Sequence, residues 1–160
     1  MFHIILFAPQ IPPNTGNIIR LSANTGATLH LIEPLGFRLD EKSCRRAGLD
    51  YHALADLHLH KNLDDCMAAL CTARLFAITS HGTASVFDSQ FAPGDAFLFG
   101  SETAGLPDAV HARFKRSQKL RLPMIAGNRS LNLANAASIV VYEAWRQTGF
   151  AVAGKDPKFV

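Results

Sequence analysis

Short, almost unbroken apolar runs rich in Ile, Leu, Val and Phe mark the chain at residues 2–8, 28–32, 75–79, 96–100 and 120–122. Runs of this length without polar alternation suit strands covered on both faces. Between them the apolar residues fall at helical spacing: Ile18, Leu21 and Thr25; Leu63, Met67 and Leu70; Val110 and Phe114; and the long stretch 133–147. Strand and helix signals that alternate in this way predict an α/β fold, a mostly parallel sheet flanked by helices. In the last helix, Leu133, Ala134, Ala136, Ala137, Ile139, Val140, Val141, Ala144 and Trp145 spread around most of the circumference. Such a helix must be covered on several sides, either by a central position or by a subunit interface.

Composition narrows the class. Hydrophobic residues make up 48% of the 160 and charged residues 18%, a core-rich balance that excludes disorder over most of the length. One domain over residues 1–150 and a short tail over 151–160, with Lys155, Asp156, Pro157 and Lys158, are expected. No apolar run is long enough to span a bilayer, and the opening residues lack a basic leader, so a soluble cytoplasmic protein without a membrane partner is expected. Cys44, Cys66 and Cys71 form no C-x-x-C pair and read as reduced thiols. Sixteen basic against thirteen acidic residues give a net charge of +3, a mild lean toward an anionic partner.

Asn-Thr-Gly occurs at 14–16 and again at 24–26. Capping explains part of this, with the first copy starting a helix and Gly26 ending it. Asn14, Asn17 and Arg20, three residues apart, additionally align hydrogen-bonding side chains near one helix end. Ligands of open α/β sheets bind beyond the carboxyl ends of the strands. The residues there are Thr79-Ser80-His81-Gly82, then Gly100-Ser101-Glu102-Thr103-Ala104-Gly105, then 123–130, small loops whose backbone can approach a flat ligand such as adenine. No G-x-x-x-x-G-K-[ST], G-x-G-x-x-G or H-E-x-x-H is present. His58 and His60 alternate with leucines as on an exposed strand face, so no metal is expected there, and Ser80-His81 lacks a nucleophile elbow. Glu102 either caps the next turn or meets a ligand. Arg129, Ser130 and Asn132 open the last helix, whose free N–H groups and dipole favour an anion.

Three segments, Asn14-Thr15-Gly16-Asn17-Ile18-Ile19-Arg20, residues 97–107 containing Gly-Ser-Glu-Thr-Ala-Gly, and Asn128-Arg129-Ser130-Leu131-Asn132-Leu133-Ala134-Asn135-Ala136, resemble the motifs of SPOUT-class RNA 2′-O-methyltransferases. With Arg45-Arg46-Ala47-Gly48-Leu49-Asp50-Tyr51-His52 and 141–147, the resemblance extends over about residues 1–150. It is greatest to the small members that modify the tRNA wobble position. The resemblance implies S-adenosylmethionine as cofactor, the anticodon stem-loop of tRNA as partner, and a homodimer. It also implies a C-terminal trefoil knot, which general rules of connection do not suggest.

By position, the resemblance implies a cofactor pocket of Ile78, Thr79, Gly100, Glu102, Leu122, Met124, Ser130, Leu131 and Asn135. Arg20 would lie nearest the reacting 2′-hydroxyl, with Asn14, Glu102, Ser130 and Asn132 arranging the site and Tyr142 on the dimer-forming helix. The implied activity is 2′-O-methylation of cytidine or uridine 34, leucine tRNAs being the expected substrates, without a metal. Methylation of another tRNA or rRNA position, or a catalytically silent RNA-binding knot protein, are the alternatives. Relatives commonly read Glu-Thr-Arg-Gly where this chain has Glu102-Thr103-Ala104-Gly105, so a basic side chain is missing, and Arg45, Arg46 and Arg129 are expected to grip RNA phosphates instead.

Overall fold

The computed structural model describes residues 1–38, 57–70 and 74–151. In chain order the elements are β1 (His3–Phe7), α1 (Pro12–Thr25), β2 (Thr28–Ile32), β3 (Leu57–His60), α2 (Leu63–Leu70), β4 (Leu75–Ile78), β5 (Ala84–Ser85), β6 (Ala96–Phe99), α3 (Asp108–His111), β7 (Lys119–Arg121) and α4 (Leu133–Gln147). Their strands form one sheet in the order β3-β2-β1-β6-β4-β7-β5. Every pairing between these strands is parallel. Each apolar run of the sequence becomes a strand because both faces of the sheet are covered. Ile4 and Leu6 of β1 join Phe97 and Phe99 of β6 beneath α1 and α4, while Ile5 and Leu98 face α2 and α3. None of the described helices is long and apolar enough to cross a membrane.

The start of α1 differs from the sequence expectation. Asn14-Thr15-Gly16 is not the cap, because the helix begins at Pro12 and its N-cap position, Ile11, makes no side-chain capping bond. Two prolines in the first turn have no N–H to leave unsatisfied and already hold helical φ, so the helix starts earlier than an Asn cap would place it. Gly26 ends α1 as expected, at a φ of 69°.

His58 and His60 also differ. Their strand lies at the sheet edge, yet its register sets His58 beside His30 of β2, and the His30 ring stacks on both, with centroids 5.1 and 5.2 Å away. His58 is exposed and His60 half-buried, and the sulfur of Cys66 comes from α2 to the same place. Alternation within β3 reports a face but not the neighbours that register brings to it.

The strand order places β6, β4 and β7 side by side, so the loops that leave their carboxyl ends meet at one edge. Backbone packs against backbone there. A Cβ at Gly82, in the loop after β4, would lie 2.5 Å from the carbonyl carbon of Leu120, and one at Gly100 would lie 2.2 Å from that of Gly105. Gly100→Ala is therefore expected to destabilise by more than about 3 kcal/mol, the upper end of ordinary side-chain overpacking, since two backbone segments must separate. Gly127→Ala, where nothing lies within 4 Å and only a φ of +83° is strained, should cost about 1–2 kcal/mol. Thermal melts of both variants check the ranking; an equal effect would mean that the close approach carries no energy.

Candidate active site

The loops after β4, β6 and β7 enclose a cleft of about 750 Å³ whose floor includes Ile78, Phe99, Leu122 and Leu133 and whose rim carries Thr79, Ser80, Asn128 and Arg129. A volume of this size suits a nucleoside-sized ligand, and an apolar floor with a few polar groups around it is the usual construction of such a site.

One hydrogen-bonded chain ties the walls together. Glu102, from the loop after β6, accepts from the backbone N–H of Gln10 at 2.8 Å, from that of Ile11 at 3.2 Å and from the Asn14 side-chain amide at 2.9 Å. Asn14 Oδ1 accepts from Asn132 Nδ2 at 2.9 Å, and Asn132 Oδ1 accepts from the N–H groups of Ala134 and Asn135 that open α4. Each link sets the next. An ionised carboxylate only accepts, so the Asn14 amide must present its NH₂ to Glu102 and its oxygen to Asn132, which leaves the Asn132 oxygen for the helix. Glu102 thus caps neither its own turn nor a ligand alone: it serves the segment that leads into α1. Its own loop closes through the Ser101 and Gly105 backbones, which exchange hydrogen bonds of 3.1 and 2.9 Å, and through Ala104 N–H donating to Ser101 Oγ.

At the mouth, His81 packs edge-on against His111, with centroids 5.9 Å apart. His111 is held below the usual imidazole range, first by burial and then by the positive charge of Lys119 and by His81.

The model of the SpoU rRNA Methylase family matches residues 1–142. The chain belongs to the SpoU methylase family. A tRNA (cytidine(34)-2'-O)-methyltransferase of Burkholderia ambifaria is 59% identical over 152 residues, 94% of this chain and 97% of that relative. A solved structure concerned with 2-OH methylation of C/U34 on tRNA is 46% identical with a TM-score of 0.85 and covers 93% of this chain and 97% of its own. The SpoU methyltransferase AviRb of Streptomyces viridochromogenes, in complex with the cofactor AdoMet, is 30% identical with a TM-score of 0.76 over 91% of this chain and 57% of its own.

In this SpoU methylase the cleft brings together Asn14, Ile78, Thr79, Gly100, Glu102, Leu122, Met124, Arg129, Ser130, Leu131 and Asn132 from the residues singled out in the sequence. Arg20 and Tyr142 stand exposed on their helices and do not line it, and Asn135 contributes a backbone N–H to the Asn132 cap while its side chain is exposed. Arg45 and Arg46 lie outside the described residues. The donors from Gln10 and Ile11 escaped the sequence reading because backbone N–H groups carry no residue signature. Ala8, which leads into them at a φ of 48°, was equally silent, since a positive φ at a non-glycine residue has no sequence mark.

S-adenosylmethionine is the cofactor of the family, and the residues present fit it. Met124 and Leu131 line the cleft yet remain 40% and 41% exposed, apolar edges left open beside a polar rim. Gly100 lets the loop backbone close in where no side chain has room.

Asn14→Asp tests the chain of bonds. It would set a second carboxylate against Glu102 where the amide now donates, so the pair would share a proton and its folded-state pKa would rise above the unfolded value. A raised pKa gives stability that is present at low pH and lost as pH rises through it. Asn14→Asp is therefore expected to melt well below Asn14→Ala at pH ~8 and to recover toward it near pH ~5. Melting curves across that range check this; a pH-independent gap would place Asn14 away from the Glu102 charge.

Proposed function

We propose that this SpoU methylase transfers a methyl group from S-adenosylmethionine to the ribose 2′-oxygen of cytidine or uridine 34 in tRNA, working in the cytoplasm as a single-domain protomer of a homodimer. The observation that carries the reading is the cleft itself, lined by the loops after β4, β6 and β7, with Glu102, Asn14 and Asn132 tying the loop after β6 to α1 and α4. Identity of 59% to a relative named for this reaction sets the address. Ile139 and Tyr142 leave an apolar face of α4 exposed at 38% and 46%, which supports pairing of protomers through that helix.

The cofactor supplies, when bound, a methyl group already activated by its sulfonium. The chain's own task is then positioning, since an aligned approach at about 3–3.5 Å removes much of the barrier for a weak hydroxyl nucleophile. Ile78, Leu122, Met124 and Leu131 would hold the apolar part of the cofactor, while Thr79, Gly100 and Ser130 would fix its polar edges. Glu102 and Asn14 keep the start of α1 against this pocket, and Arg20, exposed further along the same helix and outside the cleft lining, is proposed to meet the RNA from there. Arg20 is proposed to act as a fixed cation that binds phosphate and stabilises negative charge developing on the ribose oxygen, whose proton passes to water.

Incubation with unmethylated tRNA and isotope-labelled S-adenosylmethionine, followed by nucleoside mass spectrometry, tests the proposal. Label in 2′-O-methylcytidine or 2′-O-methyluridine at position 34 is expected. Label only at another tRNA nucleotide would move the address, no label despite cofactor binding would turn the search to rRNA, and absence of cofactor binding would leave an RNA-binding protein.

Arg20→Lys, which keeps the charge but loses the planar fork, should reduce turnover at least tenfold with cofactor affinity little changed. Near-normal turnover would remove Arg20 from the site. Arg129→Ala should weaken tRNA binding and lower the slope of log affinity against log salt by about 1, as loss of one phosphate contact does, and an unchanged slope would place Arg129 off the RNA path.

A further inference from the structure

On the α2 side of the sheet, remote in function from the cleft, imidazoles line up across neighbouring strands. His30 Nε2 lies 3.2 Å from His3 Nδ1, and His30 Nδ1 lies 3.0 Å from His60 Nε2. The thiol of Cys66, fully buried on α2, completes the group: donor atoms of His30, His60 and Cys66 all lie within 4.8 Å of one another. We propose that His30, His60 and Cys66 form a binding site for a thiophilic divalent cation of the zinc class, joining the edge strand β3 and its neighbour β2 to α2.

The donor set selects the ion. Imidazole nitrogen with sulfur, and no carboxylate within the group, suits zinc-like ions and not magnesium or calcium. Tetrahedral zinc, with bonds of about 2.0–2.3 Å, needs ligand atoms roughly 3.3–3.7 Å apart. The two nitrogens already stand close to that separation, and the sulfur lies within 4.8 Å of both. A water would complete the tetrahedron in the fourth position.

Each neutral imidazole offers one ring nitrogen with a lone pair, and the proton shared in the contact between His30 Nδ1 and His60 Nε2 moves to the other nitrogen of its ring when a cation enters. His3 has a further part. With His30 Nε2–H donating to His3 Nδ1, the other nitrogen of His30 presents its lone pair toward His60, the outer-shell arrangement that fixes the tautomer of a metal-bound histidine. Burial lifts the Cys66 thiol to about 11, so a cation entering the site must release the thiol proton, and a sulfur–metal bond replaces the S–H bond with no change of oxidation state.

The test uses the full chain stripped with a chelator and titrated with Co²⁺ and then Zn²⁺. A near-ultraviolet thiolate-to-cobalt band that saturates at a single equivalent, disappears when Zn²⁺ is added and is accompanied by a rise in melting temperature with Zn²⁺ is expected. Cys66→Ser and His60→Gln should each weaken binding at least tenfold, whereas Cys44→Ser combined with Cys71→Ser should keep the band. Should Cys66→Ser fail to fold, His60→Gln, at a half-buried ring, decides the matter. Absence of the band, its survival in His60→Gln, or its loss in the Cys44/Cys71 variant would overturn the proposal and leave the imidazoles as a hydrogen-bonded packing group. Methyl-transfer activity is not the readout, so the result stands apart from the proposed reaction.

Discussion

The carboxylate of Glu102 is the point at which the loop after β6 meets the start of α1. Hydrogen bonds to a charged acceptor are each worth about 1.5–3 kcal/mol, more than neutral ones, and an ionised carboxylate left without them would be costly at a cleft wall. Gln10, Ile11 and Asn14 supply them. Through Asn14 the constraint passes to Asn132 and on to the first turn of α4, so the segments that shape the cleft are held in one register. These partners lie 88 and 118 residues apart in the chain. The site therefore exists only once the sheet has brought the loops together, and no local segment carries it alone.

The sheet divides the work between its faces and its ends. Covered by α1 and α4 on one side and α2 and α3 on the other, its central strands β1, β4 and β6 are apolar nearly throughout and give the loops a rigid base. The carboxyl ends of β4, β6 and β7 open into the cleft. The edge formed by β2 and β3 holds the imidazole group instead, on the α2 face. Glycine serves the first of these places where chain segments touch: at Gly82 and Gly100 the neighbouring backbone occupies the volume of a side chain.

Much of this was legible in the residue pattern. The apolar runs became β1, β2, β4, β6 and β7, and the long apolar stretch became α4 with Asn132 as its cap. The loops chosen because they follow strands are the loops that line the cleft. The two-residue β5 was not legible, since so short a strand has no periodicity to detect. The start of α1 was misplaced because Asn14 looks like a cap, whereas Pro12 and Pro13 start the helix earlier and leave Asn14 free to bridge Glu102 and Asn132.

What the sequence alone determined was the class of fold, the loops that bear the chemistry and the family whose motifs they carry, because apolar period and motif spacing are local properties of a chain. Tertiary structure decided the partners. Strand register set His30 beside His58 and within reach of His60, and strand order brought the loops after β4 and β7 to the same edge. A pattern of period two tells which face a side chain takes, but which residue it meets there depends on how distant strands pair, and that is settled only when the whole sheet closes its core.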